Sequence, residues 1–330
     1  MFIPTPAKPS GVQSQGPRGA TIAIVADYPS AYDMRSLRPF SGPEGNILEQ
    51  CLHNVGLIRG ELYITHLFKD QSANALYGKG RFTPEGEATV AALKVELNET
   101  GANIILVMGE SAFCALSGTP YLSRYRGYLF PTTEGVNAQK CIGTIHPRDA
   151  SFGLYKNRYL IVADLKKAIS EQHTKELTRP ERTLIYHYES VNEALEWLAY
   201  FNEQPIVSVD IEVLNYEVSC IGFSSAPNLA CVIPISGSWS AEDEFLLWRA
   251  IAQVLGNGAK KVFQNGIFDI QFLLAKNNIV VRGPILDTMI AHSVMYPDLP
   301  KNLGFLGSIY CGAQEYWKDT VKFSNIKGES

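Results

Sequence analysis

The stretch VSVDIEV, residues 207–213, reads as a buried β-strand into which two carboxylates, Asp210 and Glu212, have been placed. Side chains two apart in a strand share a face and sit roughly 7 Å from one another. At an effective dielectric of about 20, two like charges at that spacing repel by about 2 kcal/mol. Protonation, solvent, a basic partner or a bound cation must compensate.

The surroundings of this strand set its context. Upstream, TLIYHY (183–188) reads as a strand, and SVNEALEWLAYFNE (190–203) as a helix capped by Ser190 with Glu193 three residues on. Downstream, VSCIGFSS (218–225) and LACVIPIS (229–236), parted by the polar turn Ala-Pro-Asn, predict an antiparallel meander. SAEDEFLLWRAIAQVLG (240–256) is an amphipathic helix, KKVFQNG (260–266) a strand, and FDIQFLLAKN (268–277) a helix with Asp269 in its first turn. An acid in a first helical turn also complements the helix dipole.

Before this half lies the polar segment 173–182, read as a linker because it is charged and contains Pro180. Residues 20–172 alternate strands (ATIAIVAD, ELYITHL, NIILVMG, KCIGTIHP) with helices (46–57, 83–101, 110–118), which predicts an α/β domain with a mostly parallel sheet. Residues 1–19, rich in Pro and Gly, are expected to form a flexible arm rather than a signal peptide. Residues 183–330 then make the second domain.

At 330 residues two domains are the natural expectation, and 46% apolar with 19% charged residues describes a soluble globular chain. A net charge of −4 argues against a strongly basic, histone-like binder but is compatible with a nuclease that is basic only locally. Six cysteines without a C-x-x-C pair predict a reducing, cytoplasmic setting with no disulfide framework and no zinc. No apolar run approaches 18 residues, so no membrane association is expected.

The order Asp-x-Glu strand, meander, helix, then Asn265-Gly-Ile-Phe268-Asp269 resembles the DEDD 3′–5′ exonucleases, and in particular the proofreading domain of family-A DNA polymerases, over about residues 183–320. LDTMIAHSVMYPDLPKNLGFLGSIY (286–310) is similar to the segment that follows the second motif in that family. The resemblance implies a ribonuclease-H-like domain with a mixed sheet. It also implies a two-metal site of Mg²⁺ or Mn²⁺ held by Asp210, Glu212 and Asp269, with Asn265 and Phe268 positioning the terminal nucleotides of a single-stranded DNA 3′ end. By the same resemblance Asp287 is structural. The family's fourth acid, an Asp four residues after a Tyr or five after a His, has no counterpart: Tyr316 and Asp319 have two residues between them. The domain is therefore expected to be C-terminally incomplete, with a polymerase domain or chain as its partner, in a bacterial host cell if phage-encoded.

In the first half, Asp27, Pro29, Pro39, Phe40, Gly42 and Gly45, then ELYITHLFKD, NIILVMGESAFCALSG with RYRGYLF, and TIHPRDA, resemble in order the motifs of the uracil-DNA glycosylase superfamily, in its iron–sulfur branch. The resemblance implies an α/β/α parallel-sheet domain in which Phe40 stacks a flipped base, His146 assists its departure and Asp27 positions water. His66 stands where an Asn reads uracil, and a lone imidazole lacks the amide's paired donor and acceptor. The cysteine spacing for an iron–sulfur cluster is missing. A DNA-gripping role is expected here, with Arg35, Arg38, Arg124, Arg126 and Arg148 as phosphate contacts.

The leading expectation is a metal-dependent proofreading exonuclease carrying a glycosylase-like DNA-binding domain. The alternatives are a uracil-DNA glycosylase of base-excision repair and a non-catalytic DNA-binding or processivity module.

Overall fold

The computed structural model describes residues 11–71, 73–151, 156–178, 181–235 and 237–312. The chain forms two compact units, Met1–Thr178 with Gly304–Ser330, and Arg179–Leu303.

The first unit runs β1 (Ile22–Ala26), α1 (Ala31–Ser36), α2 (Pro43–Asn54), β2 (Tyr63–His66), α3 (Pro84–Asn98), β3 (Ile104–Met108), α4 (Glu110–Ser117), β4 (Leu129–Pro131), β5 (Lys140–Thr144) and α5 (Lys156–Glu171). Its sheet has the order β2-β1-β3-β5-β4, parallel except where β4 runs against β5. Strands β1 and β3 are buried along their whole length because helices cover both faces, which is why IAIVA and IILVM are continuously apolar. One core layer gathers Val25, Leu93, Val107 and Phe113, and the other Ile24, Leu48, Leu106 and Ile161. Helix α3 begins as its sequence predicts: Thr83 accepts from the Gly86 N–H and Pro84 takes the first helical position.

Part of the expected arm is built into this unit. Val12 is buried and its N–H donates to the Lys69 carbonyl, while Gln15 bridges to Ile64 beside β2. The edge of β2 offers unpaired backbone groups, and these residues satisfy them.

The second unit runs β6 (Thr183–Ile185), α6 (Val191–Asn202), β7 (Ile206–Leu214), β8 (Glu217–Ala226), β9 (Leu229–Pro234), α7 (Ala241–Gly256), β10 (Lys260–Phe263), α8 (Ile267–Asn277), β11 (Ile285–Asp287) and α9 (Thr288–Met295). Its mixed sheet has the order β11-β10-β7-β8-β9-β6. The β7-β8-β9 meander is antiparallel and β10 and β11 add in parallel, the ribonuclease-H-like arrangement. The β7–β8 turn puts Asn215 and Tyr216 at φ 52° and 64°, as a tight two-residue hairpin requires. Helix α6 departs from its expected cap: the Ser190 side chain makes no capping bond, and the Glu193 carboxylate instead accepts from the Glu189 N–H.

One further helix, α10 (Leu303–Tyr310), follows the second unit in sequence but packs with the first. Lys167 donates to the Ser308 carbonyl at 2.7 Å, Arg126 to the Ser308 hydroxyl, and the Tyr128 hydroxyl to the Gly304 carbonyl at 2.5 Å. Two buried cations meet the negative end of the helix, with buried Asp164 as their carboxylate partner. Among the described residues no helix is long and apolar enough to cross a membrane.

Candidate active sites

In the second unit, β7 alternates strictly: Val207, Val209 and Ile211 are buried while Ser208, Asp210 and Glu212 face outward. The expected carboxylate face therefore exists. The parallel pairing of β7 with β10 ends at Ser208, so backbone groups farther along β7 project beyond their neighbour. Asp269, buried in the first turn of α8, fills that place, and its Oδ1 accepts from the Ile211 N–H at 3.0 Å. One hydrogen bond thus sets the third acid beside the backbone between the other two.

Burial pushes the Asp210 carboxyl up to about 6, and the charges of Asp269 and Glu212 push it the same way. Burial also raises Asp269, opposed by the Ile211 N–H and reinforced by Asp287 and Glu212. Among the described residues no basic side chain is a leading influence on either shift. An all-oxygen donor set with surplus negative charge fits a hard divalent cation in kind. Among the described residues, however, no three of His, Cys, Asp and Glu already stand as a closed ligand cluster. The three acids are electrostatically coupled, and a further oxygen donor is needed to complete a shell.

Asn265 lies on the turn that opens α8, and Phe268 precedes Asp269 in its first turn. Asn265 is exposed with a left-handed backbone (φ 62°), and the Phe268 ring, 50% exposed, lies 5.9 Å from that of Phe272. A half-exposed ring beside acidic groups is a platform on which a base can stack. Tyr316 and Asp319 lie outside the described residues.

In the first unit, Phe40, His66 and His146 come together as their motifs suggest. The Phe40 ring lies 5.5 Å from the His66 ring and 5.6 Å from that of His146. Phe40 is only 3% exposed, so little of its ring is open to a flipped base in this structure. Burial brings His66 down to about 4, despite Asp33 with an oxygen 4.0 Å from Nε2, and holds His146 well below the usual histidine value. His66 Nδ1 has no partner, while His146 Nδ1 accepts from the Arg148 N–H at 3.1 Å. Asp27 sits at the end of β1, where burial raises its carboxyl and its Oδ1 accepts from the Ala112 N–H at 2.7 Å. Gly109, at φ 123°, is required there, since a Cβ would stand 2.3 Å from the Asp27 carboxylate.

Of the five arginines, Arg35, Arg38 and Arg124 are exposed. Arg148 is half-buried and donates to the Tyr28 hydroxyl at 2.9 Å. Arg126 is not a phosphate contact: it is buried and paired with Asp164 at 2.7 Å, a partner 38 residues away that local sequence does not reveal.

Residues 13–168 match the uracil DNA glycosylase superfamily and residues 185–324 the 3′–5′ exonuclease family of DNA polymerase A. The chain carries a glycosylase-superfamily domain followed by a 3′–5′ exonuclease domain. Over 325 residues it is 22% identical to the DNA polymerase of Bacillus phage SP01, covering 87% of this chain and 34% of the polymerase. The chain thus spans about a third of that relative's length. It is 28% identical over 147 residues to the type-4 uracil-DNA glycosylase of Pyrobaculum aerophilum, covering 42% of this chain and 71% of that enzyme. Among solved structures, the catalytic core of RRP6 from Trypanosoma brucei aligns at 17% identity and a TM-score of 0.33, over 41% of this chain and 36% of that one. The exonuclease domain of EXD2, soaked in Mg and dGMP, aligns at 17% identity and a TM-score of 0.27, over 45% of this chain and 77% of that one.

Proposed function

We propose that the chain shortens DNA from its 3′ end in a divalent-metal-dependent reaction, as the proofreading portion of a family-A polymerase. The observation that carries this reading is the Asp269–Ile211 hydrogen bond, which brings the third acid beside the strand backbone that carries Asp210 and Glu212. Asp210, Glu212 and Asp269 would hold Mg²⁺ or Mn²⁺, which when bound supplies an activated water and charge stabilisation for the leaving 3′ oxygen. Phe268 offers its exposed face to the terminal base, and Asn265 its amide to the terminal nucleotide. The polymerase that receives the trimmed end lies on a partner domain or chain.

In this reading the glycosylase-like unit grips DNA without excising bases, a reading supported by the burial of Phe40 beside His66 and His146. The test is a time course on 5′-labelled single-stranded DNA carrying one internal uracil, with Mg²⁺ or Mn²⁺ and with chelator. Stepwise shortening that is lost with chelator and in Asp210→Ala supports the reading. Shortening that survives Asp210→Ala removes the site assignment, and an alkali-sensitive break at the uracil moves the chemistry to the first unit.

A further inference from the structure

Asp287 lies at the end of β11 and supplies the N-cap of α9. Its two oxygens do different work. Oδ1 accepts from the N–H groups of Met289 at 2.8 Å and Ile290 at 3.2 Å, which cap the helix, and from Asn265 at 3.2 Å. Oδ2 accepts from the Gly266 N–H at 2.7 Å. One carboxylate therefore joins the start of α9 to the turn that opens α8.

That turn has little freedom of its own. Asn265 is left-handed, and a Cβ at Gly266 would stand 2.4 Å from the Phe263 Cβ. Thr288, next to Asp287, donates to the Phe263 carbonyl at 3.1 Å, and Gln264 donates to the Lys301 carbonyl at 2.8 Å. Asp269 follows Gly266 by three residues, so the turn's position decides where its carboxylate meets β7.

We infer that Asp287 is the positioning residue of the exonuclease site, holding the Asn265–Gly266 turn so that Asp269 reaches the Ile211 N–H and faces Asp210 and Glu212. The inference rests on the exonuclease reading above and deepens it. In this role Asp287 acts through backbone geometry rather than as a ligand, and its charge, which also raises Asp269, is distinguished from that role by the Gly266 amide.

Asp287→Asn separates this role from helix capping. Asn caps a helix as well as Asp does, so Oδ1 can keep its three donors. The amide nitrogen replacing Oδ2 would then face the Gly266 N–H donor to donor. In the full chain, we expect Asp287→Asn to keep the amide-exchange protection of Met289 and Ile290 and lose that of Gly266. Mn²⁺ uptake, read from the paramagnetic resonance of free Mn²⁺, should weaken roughly tenfold or more. The trimming kcat should fall roughly a hundredfold, with KM for the oligonucleotide unchanged within about twofold. Wild-type Mn²⁺ uptake and kcat in Asp287→Asn would overturn the inference, and so would loss of α9 protection in step with activity, since Asp287 would then be only a cap. If the unsubstituted chain neither takes up Mn²⁺ nor trims, the exonuclease reading falls and takes this inference with it.

Discussion

Asp269 Oδ1 and the Ile211 N–H stand 3.0 Å apart, although 58 residues separate them in the chain. The bond satisfies a strand amide that has lost its sheet partner and brings the third acid to the other two. The two substitutions at this position should therefore differ. Asp269→Asn keeps an acceptor for Ile211 and removes the charge, so trimming should vanish while the melting temperature holds. Asp269→Ala strands the amide and should also cost about 1–3 kcal/mol in denaturant unfolding.

Asp210 bears the electrostatic cost of this arrangement. Its folded value of about 6 lies above the ordinary 3.8, so the folded chain keeps a proton that the unfolded chain has already released. That difference destabilises the metal-free protein as pH rises from about 4 through 6, and the cost stays in full at higher pH. Asp210→Asn should accordingly melt higher than the parent at pH 7.5 in chelator, and the gap should close below pH 4. A gap that stays constant with pH would show that the substitution acts through packing.

The burial of Phe40 predicts that uracil-containing DNA leaves without an abasic site, measured as alkali-resistant product after long incubation. Phe40 acts there as a core residue, so Phe40→Ala should cost about 3–5 kcal/mol of stability rather than merely an activity. A soluble Phe40→Ala protein with unchanged unfolding would show that the rings are not packed as described.

Arg126 and Asp164 form a buried pair to which α10 adds its C-terminal turn. Arg126→Met removes the direct ion-pair partner of the Asp164 carboxylate, leaving only Lys167 nearby, and should cost about 3–5 kcal/mol. Ser308→Ala, which removes one hydroxyl, should cost only about 0.5–1.5 kcal/mol. Both losses belong to the unfolding of the first unit, readable in a denaturant titration followed by amide exchange.

Much of this was legible in the residues themselves. The alternation of VSVDIEV placed Asp210 and Glu212 on one face because strand periodicity depends only on near neighbours, and β7 shows that face. The apolar runs at 22–26 and 104–108 announced buried parallel strands for the same reason. Thr83 and Pro84 marked the start of α3 through bonds within a single turn. The Ser190 cap failed because Glu193 reached the Glu189 N–H instead, two local solutions that sequence cannot rank.

The sequence by itself determined most of the strands and helices, the order of the two units and the shared strand face of Asp210 and Glu212, all properties of residues a few positions apart. The tertiary structure alone decided that Asp269 meets the Ile211 amide, that Phe40 is covered by two imidazoles, that Arg126 is spent on Asp164, and that α10 packs with the first unit. Each of these joins groups distant in the chain. Burial and unpaired backbone donors select such partners only once the sheets have formed.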